Sequence, residues 1–412
     1  MTLSEELSAR GFIYQHSADS LAEILDGPPR VVYLGIDPTA EAIHVGHLVP
    51  FMLLNHLLRA GHKVYLLVGG ATALIGDPGG RDTERPLVEQ EVVKANTEAL
   101  EANIKKLAVD DIQFVNNYEW LSRLSTLEFL RDVGKHFTVN AMIKKDAVSA
   151  RMASEYGISY TEFSYALLQS YDYWYLHKNY GCDLQIGGSD QWGNLISGVD
   201  YIRRTTGDIV YAITMALVTD KATGKKFGKS MGNPIWLDPT KTTPYQLHQF
   251  WLHTNDESVI DYLKLFTFLS LEEIGEIQEK HEQAPEQRIA QQQLADTVVE
   301  FVYGADEVRR ARKISSVLFG GTPVSSLSSD EVAAFRKEAV YISVPKETLL
   351  SEALVESGLV SSKRAVRNLL AEGAITVNNN RHTTDVPVSD FGQNLLLIRK
   401  GKRHSGVIEI VD

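Results

Sequence analysis

Three groups of residues in this chain have types and spacings that could do chemistry on a charged ligand. The first is Tyr33-Leu34-Gly35-Ile36-Asp37-Pro38-Thr39, with His44-Val45-Gly46-His47 shortly after it. Alternate residues of a strand share a face, so Tyr33, Gly35 and Asp37 point the same way. The two histidines stand three apart where an apolar helical pattern begins, so both can face one ligand. A helix start offers unpaired N–H groups and the positive end of a dipole to an anion, and Gly46 lets a flat group approach the backbone. A metal pair or two surface histidines is the other reading of that spacing.

The second group is Lys225-Lys226-Phe227-Gly228-Lys229-Ser230-Met231-Gly232-Asn233. Lys226 and Lys229, parted by a glycine and followed by Ser230, make a cationic loop able to hold a polyphosphate. The alternative is a merely solvated lysine loop. It is not a P-loop, because Thr223 stands where the first glycine of that motif is required and Asn233-Pro234 interrupts any following helix. The third group is Tyr165, Gln169 and Asp172, at i, i+4 and i+7 of a helical pattern over 161–178. They form one polar stripe on an otherwise apolar helix. Buried, such a stripe needs polar partners, since each unpaired group costs about 1–3 kcal/mol. Asp172 with Tyr33 could receive a phenolic hydroxyl, and Tyr165, Gln169 and Asp77 could surround an ammonium group. A purely structural network is the other possibility.

The elements that must position these groups alternate between strand and helix over the first half, which predicts an α/β fold with a mostly parallel sheet. Strands are expected at 30–36, 63–68, 112–115 and 182–186, with a helix from His47 to Ala60 capped by Gly61. In such sheets ligands bind beyond the carboxyl ends of the strands, where the Tyr33 face leads. From about 245 to 319 the pattern is helical. Gly320-Gly321-Thr322-Pro323 and the serines behind it mark a linker, with a short acidic helix over 330–338. The expected organisation is a catalytic domain over 1–235, a helical domain over 236–319, a linker over 320–344 and a small unit over 345–412.

Composition narrows the class. Hydrophobic residues make up 44% and charged residues 23% of the 412, as in an ordinary globular protein. A single cysteine, Cys182, excludes a disulfide framework or a cysteine-based zinc site. The polar, acidic start and the lack of a long apolar run lead us to expect a cytoplasmic location and no membrane partner. The net charge of −12 argues against a nucleic-acid binder, but residues 361–403 carry eight basic and three acidic side chains, a local balance of +5. A basic module on an acidic body fits local handling of RNA; a solvated basic surface is the plainer reading.

His44-Val45-Gly46-His47 and Lys226-Phe227-Gly228-Lys229-Ser230, in that order, resemble the HIGH and KMSKS signatures of class I aminoacyl-tRNA synthetases. The words at 33–40, 69–78, 160–165 and 184–194 look like those of the bacterial tyrosyl-tRNA synthetases, and the resemblance runs through the whole chain. It implies a Rossmann-like (HUP-type) catalytic domain with the KMSKS-like loop at 226–230, an α-helical tRNA-binding domain and an alpha-L (S4-like) α+β RNA-binding domain. It implies activation of L-tyrosine by ATP with Mg²⁺ and transfer to tRNA-Tyr, with no DNA partner, no protein-bound metal and no organic cofactor. Tyrosine would be held by Tyr33, Gly35, Asp37, Asp77, Tyr165, Gln169, Asp172, Gln185 and Gln191. ATP would meet His44, Gly46, His47, Asp190 and Lys229, with Thr39 and His44 at the γ-phosphate. Arg81, Arg85, Lys226, Lys229 and Ser230 would bind the departing pyrophosphate. Lys363, Arg364 and Arg367 would touch tRNA phosphates. A homodimer through helices around Phe137 to Tyr160 is implied as well. Val45 replaces the usual isoleucine, Arg81 stands where lysine is frequent, and Leu34 and Pro50 also depart from the common pattern, which touches the tuning of ATP binding.

Three other readings share some of these features. A tryptophanyl-tRNA synthetase has the same signatures, but the Tyr33/Asp172 pair suits a phenol better than an indole. A small-molecule nucleotidyltransferase would need neither the helical region nor the basic unit. A non-enzymatic RNA-binding relative could have lost the signature residues, all of which are present here.

Overall fold

The computed structural model describes residues 1–39, 42–79, 88–107, 112–219, 227, 229–230, 233–401 and 404–411. Contacts group the chain into two units, Met1–Thr242 with Phe250–Val298, and Thr243–Gln249 with Val299–Asp412.

The first unit is built on a six-stranded sheet. Its strands are β1 (Gln15–His16), β2 (Val31–Ile36), β3 (Lys63–Val68), β4 (Gln113–Asn116), β5 (Leu184–Gly188) and β6 (Tyr211–Met215), in the order β1-β6-β5-β2-β3-β4. All neighbours are parallel except the antiparallel pair β1/β6. The chain runs β2 to β3 to β4 on one side and then returns to place β5 on the other side of β2. Between β2 and β5 the winding reverses, which opens a crevice at their carboxyl ends. The central strands are near-continuous apolar runs, such as Val64-Tyr65-Leu66-Leu67-Val68, all buried, as expected for a sheet covered on both faces.

Three helices bring side chains to that crevice. Leu48–Arg59 follows β2 through a 3₁₀ turn at Val45–His47, and Gly61, at φ 89°, closes it in the left-handed conformation that favours glycine. Tyr160–Tyr180 starts at Ser159, whose side chain accepts from the Glu162 N–H, and crosses to β5. Trp192–Thr206 leaves the end of β5 through a 3₁₀ turn at Ser189–Gln191. Beyond β6, Lys229–Ser230 (β7) and Asn233–Pro234 (β8) pair antiparallel.

In the second unit β9 (Val340–Pro345), β10 (Ile375–Val377), β11 (Asn380–His382), β12 (Leu395–Lys400) and β13 (His404–Val411) form a sheet in the order β11-β10-β12-β13-β9. Helices Leu350–Glu356 and Lys363–Ala371 cover it, with Leu350, Leu354, Val366 and Leu370 packed against Ile398 and Ile408.

The stretch 320–344, expected as a linker, is ordered structure. It holds helix Ser329–Glu338 and most of β9, which pairs in parallel with β13. Phe335 and Val324 are buried with Ile314, Val317, Leu397 and Val407. Ser328 caps that helix: its side chain accepts from the Glu331 N–H while Glu331 accepts from the Ser328 N–H. The expected helical domain over 236–319 is also divided, its residues 250–298 grouping with the first unit and 299–319 with the second.

Candidate active site

A cavity of about 350 Å³ lies at the carboxyl ends of β2 and β5. Tyr33, Gly35, Asp37 and Thr39 enter it from the β2 side, and Gln185, Gly187 and Gly188 from β5. Tyr165, Gln169 and Asp172 line it from helix Tyr160–Tyr180, as the i, i+4, i+7 spacing requires. Asp77, Gln191, Gly46, His47 and Phe227 complete the wall.

Its floor is a buried polar network. The Asp172 carboxylate accepts from Trp120 Nε1 at 2.7 Å and from Asn117 Nδ2 at 2.9 Å. Asn117 Nδ2 also reaches Thr72 Oγ1 at 3.0 Å, and Thr72 donates to Asp37 Oδ1 at 2.7 Å. The Tyr165 hydroxyl donates to Asp37 Oδ2 at 2.9 Å. Asn117 Oδ1 in turn accepts from the Ala71 N–H. Gly69 makes room for this cluster, because a side chain there would collide with the Asp37 carboxylate and the Thr72 hydroxyl.

Burial pushes the Asp172 carboxyl up to about 7, against the two N–H donors that favour its charged form, and the negative charge of Asp37 adds to the rise. Burial likewise holds the Tyr33 hydroxyl well above the ordinary tyrosine value, with Tyr173 and Asp172 contributing. Tyr33 is therefore a protonated hydroxyl, fully buried, with its ring edge-on to Tyr173 at 5.1 Å. Its oxygen has no hydrogen-bond partner, and neither do Gln169 Oε1 and Gln185 Oε1. Three orphaned polar atoms in one cavity are the signature of a site shaped for a polar ligand.

At the mouth, Asp77 accepts from Gln191 Nε2 at 2.6 Å. His44 accepts from the Gly46 N–H at 3.0 Å through Nδ1, and His47 Nδ1 accepts from the His44 N–H at 3.2 Å. With Nδ1 an acceptor, each neutral ring carries its proton on Nε2. The rings lie 4.0 Å apart between centroids. A Cβ on Gly46 would fall 2.7 Å from His44 Cε1, so the turn needs glycine. Ile43 and Val45 pair with Leu237 and Ile235, through Val45 N–H to Ile235 O at 2.9 Å and Leu237 N–H to Ile43 O at 2.8 Å. The histidine turn is thus stitched to residues 235–237, just past β8. Phe227, within that segment, is clamped by Phe250, Trp251, Tyr262 and Phe266 at 5.0–5.6 Å between rings.

Thirteen of the expected residues come together here: Tyr33, Gly35, Asp37, Thr39, Gly46, His47, Asp77, Tyr165, Gln169, Asp172, Gln185 and Gln191 line the cavity, and His44 abuts it through Gly46 and His47. Asp190 sits just outside, its carboxylate 2.5 Å from where a Cβ on Gly188 would stand. Lys229 and Ser230 are described by their strand pairing alone. Arg81, Arg85 and Lys226 fall outside the described residues. Sequence reasoning missed Asn117, Trp120 and Thr72, which lie after β4 and after the Gly69-Gly70 turn. Their position just past strand ends was the one available signal.

Residues 26–320 match the family described as tRNA synthetases class I (W and Y), and 331–408 match the tyrosine–tRNA ligase SYY-like C-terminal domain. The chain belongs to the class I tRNA synthetases. Among its relatives, the tyrosine–tRNA ligase of Roseiflexus castenholzii is 44% identical over 100% of both chains. That of Ligilactobacillus salivarius is 45% identical over 98% of both. A C-terminally truncated mitochondrial tyrosyl-tRNA synthetase of Aspergillus nidulans superposes with a TM-score of 0.70 at 35% identity, covering 77% of this synthetase and 94% of that chain. A tryptophanyl-tRNA synthetase of Encephalitozoon cuniculi shares the fold at 17% identity and a TM-score of 0.55.

In the second unit of this synthetase, helix Lys363–Ala371 begins at Ser362, whose side chain accepts from the Ala365 N–H. Arg364 and Arg367 are exposed. Lys363 is exposed too, but its ammonium is 2.7 Å from Glu352, so its charge is partly offset.

Proposed function

We infer that the chain is a tyrosine–tRNA ligase, activating L-tyrosine with ATP and transferring it to the 3′-terminal adenosine of tRNA-Tyr. The observation that carries the amino-acid choice is the buried, unpartnered Tyr33 hydroxyl in the same cavity as Asp172. A phenol both donates and accepts. It would donate to the Asp172 carboxylate and accept from Tyr33. An indole N–H only donates and would leave Tyr33 orphaned, and phenylalanine would satisfy neither. Tyr165, Gln169 and Asp77 would surround the ammonium group, with Gln185 and Gln191 toward the carboxylate and Gly35 and Asp37 shaping the wall.

In the first step the tyrosine carboxylate oxygen attacks the α-phosphorus of ATP, the bond to the β-phosphate bridging oxygen breaks, and pyrophosphate leaves. The reading requires no covalent enzyme nucleophile. The protein's part is to align the two substrates and to stabilise charge that peaks in the transition state. His47, Gly46 and Asp190 would hold the ribose, and Thr39 and His44 the γ-phosphate. With their protons on Nε2, both histidines are donors suited to phosphate oxygens. Arg81, Arg85, Lys226, Lys229 and Ser230 would take the pyrophosphate. Mg²⁺ would arrive with ATP on its phosphate oxygens. In the second step a ribose hydroxyl of the tRNA attacks the tyrosyl carbonyl and AMP leaves. Lys363, Arg364 and Arg367 would grip the tRNA backbone. The exposed Val139, Met152, Tyr156 and Tyr160 support a homodimer through the 137–160 segment. No described helix is long and apolar enough to cross a membrane, and we place the enzyme in the cytoplasm.

Exchange of labelled pyrophosphate into ATP tests the reading, run with tyrosine, tryptophan and phenylalanine in turn. Exchange with tyrosine alone is expected; equal or faster exchange with tryptophan would overturn it.

A further inference from the structure

Asn194 lies on the first turn of helix Trp192–Thr206, behind the cavity wall, and its side chain bonds to two residues that line the cavity. Asn194 Nδ2 donates to Gln191 Oε1 at 3.2 Å and to Asp77 Oδ1 at 3.4 Å. Gln191 Nε2 donates to Asp77 Oδ2 at 2.6 Å. The three side chains close a triangle whose polarity has one solution. A carboxylate only accepts, so the nitrogen of Gln191 must face Asp77. The oxygen of Gln191 then faces Asn194, which must present its nitrogen. We infer that Asn194 is a positioning residue for the amino-acid site: it anchors the free end of the Gln191 amide and the second oxygen of Asp77, and so holds the Asp77 carboxylate in the orientation that receives the substrate ammonium.

The inference rests on the tyrosine-ligase reading and sharpens it. Without Asn194 the Gln191 amide loses the donor that anchors its oxygen. The amide and the Asp77 carboxylate, each short of one donor, are then free to swing together out of the orientation that faces the substrate. The cavity wall supplies no spare room to absorb the change: Gly79 approaches closely enough that a Cβ there would fall 2.9 Å from Asp77 Oδ2 and 3.3 Å from Gln191 Nε2. The effect is local to the ammonium and carboxylate end. The phenol end, at Tyr33 and Asp172, and the histidine turn do not touch Asn194.

The test is a pair of variants in the tyrosine-dependent exchange reaction. Asn194→Ala is expected to raise the tyrosine KM about tenfold, the effect of one hydrogen bond to a charged group, while the ATP KM is unchanged. Asn194→Asp turns the donor into an acceptor beside Asp77 and Gln191 Oε1. Its tyrosine KM should be raised further near neutral pH and should recover toward the Asn194→Ala value or better as acid pH protonates the introduced carboxyl. Exchange by the unaltered chain with tyrosine establishes the underlying reading by itself. If that exchange is present and Asn194→Ala leaves the tyrosine KM untouched, or both KM values rise together, the inference fails alone. An Asn194→Asp profile parallel to that of Asn194→Ala at every pH would also overturn it.

Discussion

The indole N–H of Trp120 donates to Asp172 at 2.7 Å from the far side of the carboxylate that faces the cavity, fifty-two positions along the chain. With Asn117 it leaves Asp172 an anchored acceptor rather than a mobile side chain. Trp120→Phe keeps the apolar bulk and removes that donor. Tyrosine kcat/KM should fall by roughly ten- to a hundredfold, the cost of unpairing one buried bond to a charged group, with the ATP KM unchanged. Steady-state exchange kinetics check this, and an unchanged tyrosine kcat/KM would remove the anchoring role.

A carboxyl raised to about 7 has two pH consequences of opposite sign. Phenol binding needs the carboxylate, so tyrosine affinity should decline as pH falls through about 7, by up to tenfold per unit. Folding behaves the other way. The folded protein holds this proton up to about 7, whereas the unfolded chain releases it near the ordinary aspartate value of 3.8. Between those values the folded state binds more protons, and stability from this group declines as pH rises. Asp172→Asn should therefore raise the melting temperature at pH 8 relative to pH 5 while abolishing tyrosine selection. Calorimetry at the two pH values and tyrosine titrations decide it.

His44→Ala removes a side chain from the histidine turn without touching the phenol receptor. We expect a loss of about 10²–10³ in the activation rate, as for deletion of one preorganised donor to a developing charge, with tyrosine affinity near that of the parent. Lys229→Ala should follow the same pattern. Stopped-flow measurement of adenylate formation against tyrosine concentration separates the two parameters, and equal losses in rate and affinity would count against both roles.

Arg364→Glu with Arg367→Glu reverses two exposed charges on the helix that begins at Lys363. Each lost phosphate contact weakens RNA binding and flattens its salt dependence. Charging of tRNA-Tyr should drop at least tenfold at physiological salt while pyrophosphate exchange is unaffected. Loss of exchange as well would show that the substitutions act on the fold.

Much of this architecture is legible in the residues themselves. β2, β3, β4 and β5 announce themselves as compact β-branched runs ended by proline, asparagine or glycine, and the polar stripe on Tyr160–Tyr180 is visible because a helix repeats at i, i+4 and i+7. β1 is two residues long and exists through its pairing with β6, which no local pattern encodes. β9 was hidden among linker-like residues because its pairing partner β13 lies at the other end of the unit. Asn117 and Trp120 escaped for the same reason: their chemistry depends on Asp172, and only the parallel packing of β4 beside β3 and β2 brings them under it.

The central claim is that Tyr33 and Asp172 together receive a phenol. Sites built around a substrate hydroxyl reject the analogue lacking it by about 10⁴–10⁵, a general figure for which this family is itself the worked case and not one obtained from these distances. The most direct measurement is the ratio of exchange kcat/KM for tyrosine over phenylalanine in the parent and in Tyr33→Phe. Loss of one neutral hydrogen bond should shrink the ratio by about three- to tenfold, entirely through tyrosine, with phenylalanine unchanged or improved. An unaltered ratio, or an equal fall for both amino acids, would contradict the account.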